Sequence, residues 1–181
     1  MKEYPEYFVE VPEAFAMVED GVYRCSGVLT QNQIKYLDTL NLKTVVILSV
    51  EGPSRLFAQY VRRRGIQKLH LGMTRWQSNL GWKPVSEELI KEALQSVLDK
   101  TNHPLLIVCS SGVRETGTLV GCLRKLQHWN FNSIVYEVRV PAKHCDAHVV
   151  NCLSDINESA MCILVPKLRR RERKVHARAV Y

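Results

Sequence analysis

Apolar and polar positions follow two rhythms along this chain, one suited to strands and one to helices. Lys43 to Ser49 (KTVVILS) is a near-continuous apolar run, of a length that suits a strand buried on both faces. Leu105 to Val108, directly after Pro104, has the same character. Ile66 to Leu71 alternates and predicts another strand, and Val22-Tyr23-Arg24 predicts a short one after an Asp20-Gly21 turn. Between these runs the period becomes helical. Thr30, with Gln33 three residues on, is a capping-box signature opening a helix to about Leu40. A second helix spans about Pro53 to Arg64 and stops at Gly65, with Arg62-Arg63-Arg64 in the last turn, where cations suit the helix dipole. Ser86 caps a third, with Glu87 and Glu88 in its first turn and an apolar stripe through Leu89, Ile90, Ala93, Leu94, Val97 and Leu98. A fourth is expected from Thr116 to about Trp129, and Ser133 and Asp146 are candidate caps for two short ones. Strands alternating with helices predict an α/β fold: a small, mostly parallel sheet flanked by helices.

Composition narrows the picture. The 181 residues suit one domain, and 46% hydrophobic with 24% charged residues excludes global disorder. The six cysteines (25, 109, 122, 145, 152 and 162) include no CxxC spacing, which points to free thiols in a reducing compartment and not to a disulfide scaffold or zinc finger. Met1 to Glu6 is too acidic and broken for a signal peptide, and Thr44 to Val50 is too short to span a membrane. The net charge of +7 resembles a nucleic-acid signal until it is mapped. Residues 166–181 hold seven Lys/Arg and one Glu, leaving 18 basic and 17 acidic side chains elsewhere. The expected division is an N-terminal arm at 1–14, a domain at 15–165 and a basic tail at 166–181. A basic run of this kind is a solvated end, a contact for anionic surfaces or a nuclear-import signal, so the expected location is cytoplasmic with entry to the nucleus through the tail.

The chemistry concentrates in Val108-Cys109-Ser110-Ser111-Gly112-Val113-Arg114-Glu115-Thr116-Gly117. It lies between a buried strand and a helix N-terminus, where backbone N–H groups converge and the helix dipole favours an anion. A cysteine at the strand's end is expected to feel that field as a stabilised thiolate. Thr116, just inside the helix, is placed to donate a hydrogen bond to its sulfur. The arrangement is a phosphate cradle, Ser110 to Glu115, with a nucleophile at its base.

With these residues the chain resembles the plant and fungal atypical dual-specificity phosphatases, cysteine phosphatases that include inositol-pyrophosphate phosphatases. Phe15 to Arg24 matches the family's N-terminal signature, and Leu40-Asn41-Leu42-Lys43-Thr44 its approach to a core strand. Asn102 to Ile107 matches the approach to the phosphate loop, and Gly121 to Trp129 the helix after it. The resemblance covers roughly residues 12 to 155 and implies Cys109 as nucleophile, Gly112 as the loop glycine and Thr116-Gly117 as the helix start.

Three positions depart from the family pattern. The resemblance implies an arginine six residues after the cysteine, gripping two phosphate oxygens; here that residue is Glu115. Removing a comparable arginine slows phosphoryl transfer by on the order of 10³ to 10⁵. A carboxylate also reverses the sign of a contact worth roughly 4 kcal/mol per unit charge at about 4 Å and an effective dielectric of 20. The family usually places a histidine before the nucleophile, and here it is Val108. The loop Gly72 to Val85, which should approach or supply the general acid, contains no Asp or Glu. These departures make a pseudophosphatase the leading expectation: a binding or complex-forming subunit with a degenerate phosphate loop. Together with Tyr23-Arg24-Cys25-Ser26, the eroded loop resembles that of fungal subunits of the complex named for oxidant-induced cell-cycle arrest, implying related phosphatase-fold subunits in a hetero-oligomer and a phosphorylated protein or inositol-pyrophosphate ligand. The alternative is a weakly active tyrosine/dual-specificity or inositol-pyrophosphate phosphatase using Cys109, with Arg114 reaching round for the missing arginine. No cofactor is implied.

Two further clusters invite chemistry. His144, Cys145, His148 and Cys152 suggest a metal, but no Cys/His signature is complete and Asp146 reads as a helix cap, so no metal site is assigned. Trp76 and Trp82, beside Arg75 and Lys83, fit either a docking surface or a lid over the loop. Cys122 reads as buried packing on the helix after the loop.

Overall fold

The computed structural model describes residues 8–74, 85–139 and 149–150. Five strands form one sheet in the order β1-β2-β5-β3-β4, with β1 (Ala16–Glu19), β2 (Val22–Ser26), β3 (Thr44–Ile47), β4 (Gln67–His70) and β5 (Leu105–Cys109). β1 pairs antiparallel with β2, and the other three pairings are parallel. The expected mostly parallel α/β fold is therefore present, and β5, the strand that ends in the cysteine, is its central member.

The apolar runs read as doubly buried strands are buried because helices cover both faces. On one face Leu105, Ile107 and Cys109 of β5 pack with α4 (Glu87–Leu98), α5 (Arg114–Leu126) and α6 (Phe131–Arg139). On the other, Leu106 and Val108 pack with α1 (Gln31–Asp38) and α2 (Arg55–Arg63). The caps behave as their sequences demand. Thr30 Oγ1 accepts from Gln33 N at 3.3 Å while Gln33 Oε1 accepts from Thr30 N at 3.0 Å, closing the capping box. Ser86 Oγ accepts from Leu89 N at 3.1 Å. Arg64 closes α2 by pairing with Asp38 at 2.8 Å, tying α2 to α1.

Four expectations change. β1 was not anticipated: of its four residues only Val18 is buried, too few to set a strand period, and pairing with β2 defines it instead. α5 begins at Arg114, two residues before the expected start. Ser133 lies inside α6, whose start is served by Asn130: its Oδ1 accepts from Asn132 N at 2.9 Å and its carbonyl from Ile134 N at 3.1 Å. The segment from Gly72 begins as a short helix, α3 (Leu71–Thr74), not as loop.

The ends of α5 and α6 are fastened to β1 by Arg124. Its Nε and Nη2 donate to Glu137 at 2.7 and 2.6 Å, Nη1 to Glu19 at 2.9 Å, and Nη2 also to the Val18 carbonyl at 2.6 Å. Trp129 stacks against the guanidinium with its ring centre 4.3 Å from Cζ. No helix among the described residues is long and apolar enough to cross a membrane.

Candidate active site

Cys109 ends β5 and faces α5. Its sulfur accepts a hydrogen bond from Thr116 Oγ1 at 2.9 Å, the contact expected from the sequence, and Thr116 itself is fully buried. Between them Ser110 and Ser111 are exposed and Gly112 is buried. Ser111 Oγ accepts from Val113 N at 3.2 Å, and Gly112 N donates to the Cys109 carbonyl at 3.2 Å, which curls the loop back on the strand end. α5 then starts from Val113 with no side-chain cap. A helix beginning this way directs unsatisfied backbone donors at whatever sits above the loop.

Gly112 is required by this path. Its φ is +72°, and a Cβ there would lie 2.6 Å from Ser26 N. The loop apex is pressed onto the end of β2, closer than any side chain permits.

The early start of α5 fixes the relative directions of its first two side chains. Arg114 and Glu115 belong to the helix, so their side chains leave the axis about 100° apart. Arg114 occupies an exposed position and Glu115 the half-buried one facing Cys109.

The electrostatics correct the expectation of a stabilised thiolate. Burial pushes the Cys109 thiol above its ordinary range and the Glu115 carboxylate adds to that rise, while the Thr116 hydrogen bonds oppose both. Desolvation and one adjacent negative charge outweigh the two Thr116 hydrogen bonds. Val108, where the family pattern has histidine, is buried on the opposite face of the sheet.

Two residues that hold the loop, Arg24 and Ser26, figure in the sequence only as part of a family motif, with no role expected at the site. Ser26 Oγ donates to the Ser110 carbonyl at 3.1 Å, and Arg24 Nη2 donates to the Gly112 carbonyl at 2.7 Å. Arg24 is 1% exposed. The available signal was an arginine in the middle of a strand otherwise fit for burial. Trp76, Trp82, His144, Cys145, Asp146, His148, Cys152 and the basic tail lie outside the described residues. Among the described residues no group of three or more His, Cys, Asp or Glu is placed to hold a metal. Cys25, Cys109 and Cys122 are free thiols, and Cys122 is buried in the core as expected.

A model of the tyrosine phosphatase family matches residues 9–163. The chain belongs to that family. Within it, the chain is 43% identical over 128 residues to "Probable tyrosine-protein phosphatase DG1060" of Dictyostelium discoideum, a match covering 71% of this chain and 75% of that one. It is 39% identical over 132 residues to "Inositol diphosphatase DSP4" of Arabidopsis thaliana, covering 73% of this chain and 65% of the plant protein. The crystal structure of the core catalytic domain of the PP-IP phosphatase SIW14 from S. cerevisiae superposes with a TM-score of 0.75 and 28% identity, covering 88% of this chain and 94% of that one. The family is the fungal and plant atypical dual-specificity group that the motifs resembled, and the fold is that of cysteine-based phosphatases. These relatives of the tyrosine phosphatase family bear the names of phosphatases, so the expectation of a non-catalytic subunit finds no support among them.

Proposed function

We propose that this protein is a weakly active cysteine-dependent phosphatase, acting on phosphotyrosine-type or inositol-pyrophosphate substrates through Cys109. The observation that carries this reading is the Thr116 Oγ1 hydrogen bond to Cys109 Sγ at 2.9 Å, at the base of a loop that opens onto an uncapped helix N-terminus. A nucleophile, a donor that favours its thiolate and backbone donors for the phosphoryl oxygens are all in one place. Sulfur attacks phosphorus, the leaving-group oxygen departs and takes up a proton, and water then releases phosphate from sulfur. The names of the plant and yeast relatives support the inositol-pyrophosphate class, and that of the Dictyostelium relative supports the phosphotyrosine class.

Turnover is expected to be slow for two reasons. The thiol is held up by burial and by Glu115, so little of it ionises at neutral pH. The loop also lacks its guanidinium fork, a loss on the order of 10³ to 10⁵ in phosphoryl transfer.

Glu115 favours a second reading. A half-buried carboxylate beside the nucleophile repels a phosphate dianion, which suits a subunit that binds related phosphatase-fold partners without turnover. Phosphate release from an aryl phosphate and an inositol pyrophosphate separates the two. Activity in the wild type that disappears in Cys109→Ser supports the phosphatase. A wild type as inert as Cys109→Ser overturns it in favour of the subunit.

A further inference from the structure

The end of β2 grips the phosphate loop from beneath. The Cys109 carbonyl accepts from Gly27 N at 2.8 Å, the Ser110 carbonyl from Ser26 Oγ at 3.1 Å and the Gly112 carbonyl from Arg24 Nη2 at 2.7 Å. A trans peptide points its C=O and the following N–H in opposite directions. Fixing the carbonyls of Cys109 and Ser110 against β2 therefore turns the N–H groups of Ser110 and Ser111 the other way, towards a ligand.

Arg24 does more than supply one of these bonds. It pairs in register with Ile107, as Ser26 does with Cys109, so its side chain leaves the sheet on the same face as the nucleophile. A Cβ at Gly117 would lie 3.8 Å from Arg24 Nη2, which places the guanidinium under the first turn of α5. Its Nε and Nη1 are buried with no hydrogen-bond partner among the described residues. A guanidinium so incompletely answered in a low-dielectric interior acts strongly on its charged neighbours.

We infer that Arg24 is a positioning residue for the phosphate loop: buried beneath Cys109, it holds the Gly112 carbonyl and keeps under the nucleophile a positive charge that the loop no longer carries at residue 115. This deepens the phosphatase reading and rests on it. The charges that meet here are Glu115 from α5, Glu137 from α6, and the two thiols Cys109 and Cys25. Burial lowers the Arg24 pKa, and Cys109, then Glu137, then Cys25 oppose that fall. A thiolate at Cys109 thus favours the charged guanidinium.

Thiol ionisation tests the inference without turnover. The pH midpoint of Cys109 thiolate absorbance in the ultraviolet is read in the wild type, Arg24→Lys and Arg24→Met, each against its own Cys109→Ser blank. Arg24→Met should raise the midpoint by about one pH unit or more, a tenfold loss of thiolate, and Arg24→Lys should recover part of it. An unchanged midpoint in folded Arg24→Met overturns the inference. Should that variant not fold, the Arg24 Nε–H resonance of the wild type is followed by NMR through the Cys109 titration, and a resonance that does not move overturns it equally. A midpoint that depends on Arg24 in a protein that releases no phosphate overturns the phosphatase reading alone. Phosphate release with a midpoint indifferent to Arg24 overturns this inference alone.

Discussion

Two arginines are buried among the described residues, and their surroundings answer them in opposite ways. Arg124 meets Glu19, Glu137, Gln127 and the Val18 carbonyl, and Trp129 covers its face. Its charge is neutralised where it stands, and what it does is structural: it joins β1, α5 and α6. Among the described residues Arg24 meets one carbonyl, and two of its nitrogens are buried without a partner. Removing an ion from water carries a penalty of several kcal/mol, which good local pairing offsets. Around Arg124 the offset is visible. Around Arg24 it is incomplete among the described residues, and the charged groups that act on it are Cys109, Glu137 and Cys25. The same side chain serves as a joint where carboxylates surround it and as a field source where they do not.

The largest test of this contrast adds a third guanidinium. Glu115→Arg removes the carboxylate beside Cys109 and restores the family's fork, and phosphate release should rise by on the order of 10³-fold. No gain would show that the loop geometry, and not the charge at residue 115, limits the chemistry. Next is Arg124→Met, which strands Glu137 and Glu19 and should destabilise the fold by about 3 kcal/mol, read as a lowered urea midpoint. An unchanged midpoint would mean that this arginine is not the joint described. Gly112→Ala follows. A left-handed backbone and a Cβ 2.6 Å from Ser26 N should destabilise by about 1 to 3 kcal/mol and separate the loop from Arg24, seen as a lower Tm together with a shifted Cys109 titration.

The smallest effect is a pH dependence. Burial raises the thiols of Cys25 and Cys109 in the folded chain, with Glu115 adding to the rise at Cys109. The folded state then holds protons that the unfolded state releases above about pH 8.5. The resulting stability is fully present below that pH and is lost as pH rises towards the folded values. Tm should fall between neutral and alkaline pH, and Cys25→Ala should flatten the decline; a Tm independent of pH in this range counts against both shifts.

Much of this was legible in the chain. KTVVILS suited a strand covered on both sides, and Thr30 with Gln33 named its own capping box. The loop from Cys109 to Thr116 carried its chemistry in residue types at fixed spacing, including the threonine that bonds the sulfur. Charge at a site was less legible than identity. The helix field suggested an ionised Cys109, but burial and Glu115 reverse that, and burial is a property of the assembled domain.

What the sequence by itself determined was everything set by neighbours along the chain: the periods, the caps, the family motifs and the substitution at residue 115. These depend on interactions within a few residues, which spacing records directly. The tertiary structure decided what depends on distant segments meeting. It paired β1 with β2, began α5 at Arg114 so that Glu115 and not Arg114 faces the sulfur, and brought Arg24 from 88 residues away to the Gly112 carbonyl. Desolvation acts on a group only once other segments have excluded water from it, so the strand pattern around Arg24 pointed to burial without showing that a nucleophile would lie above it.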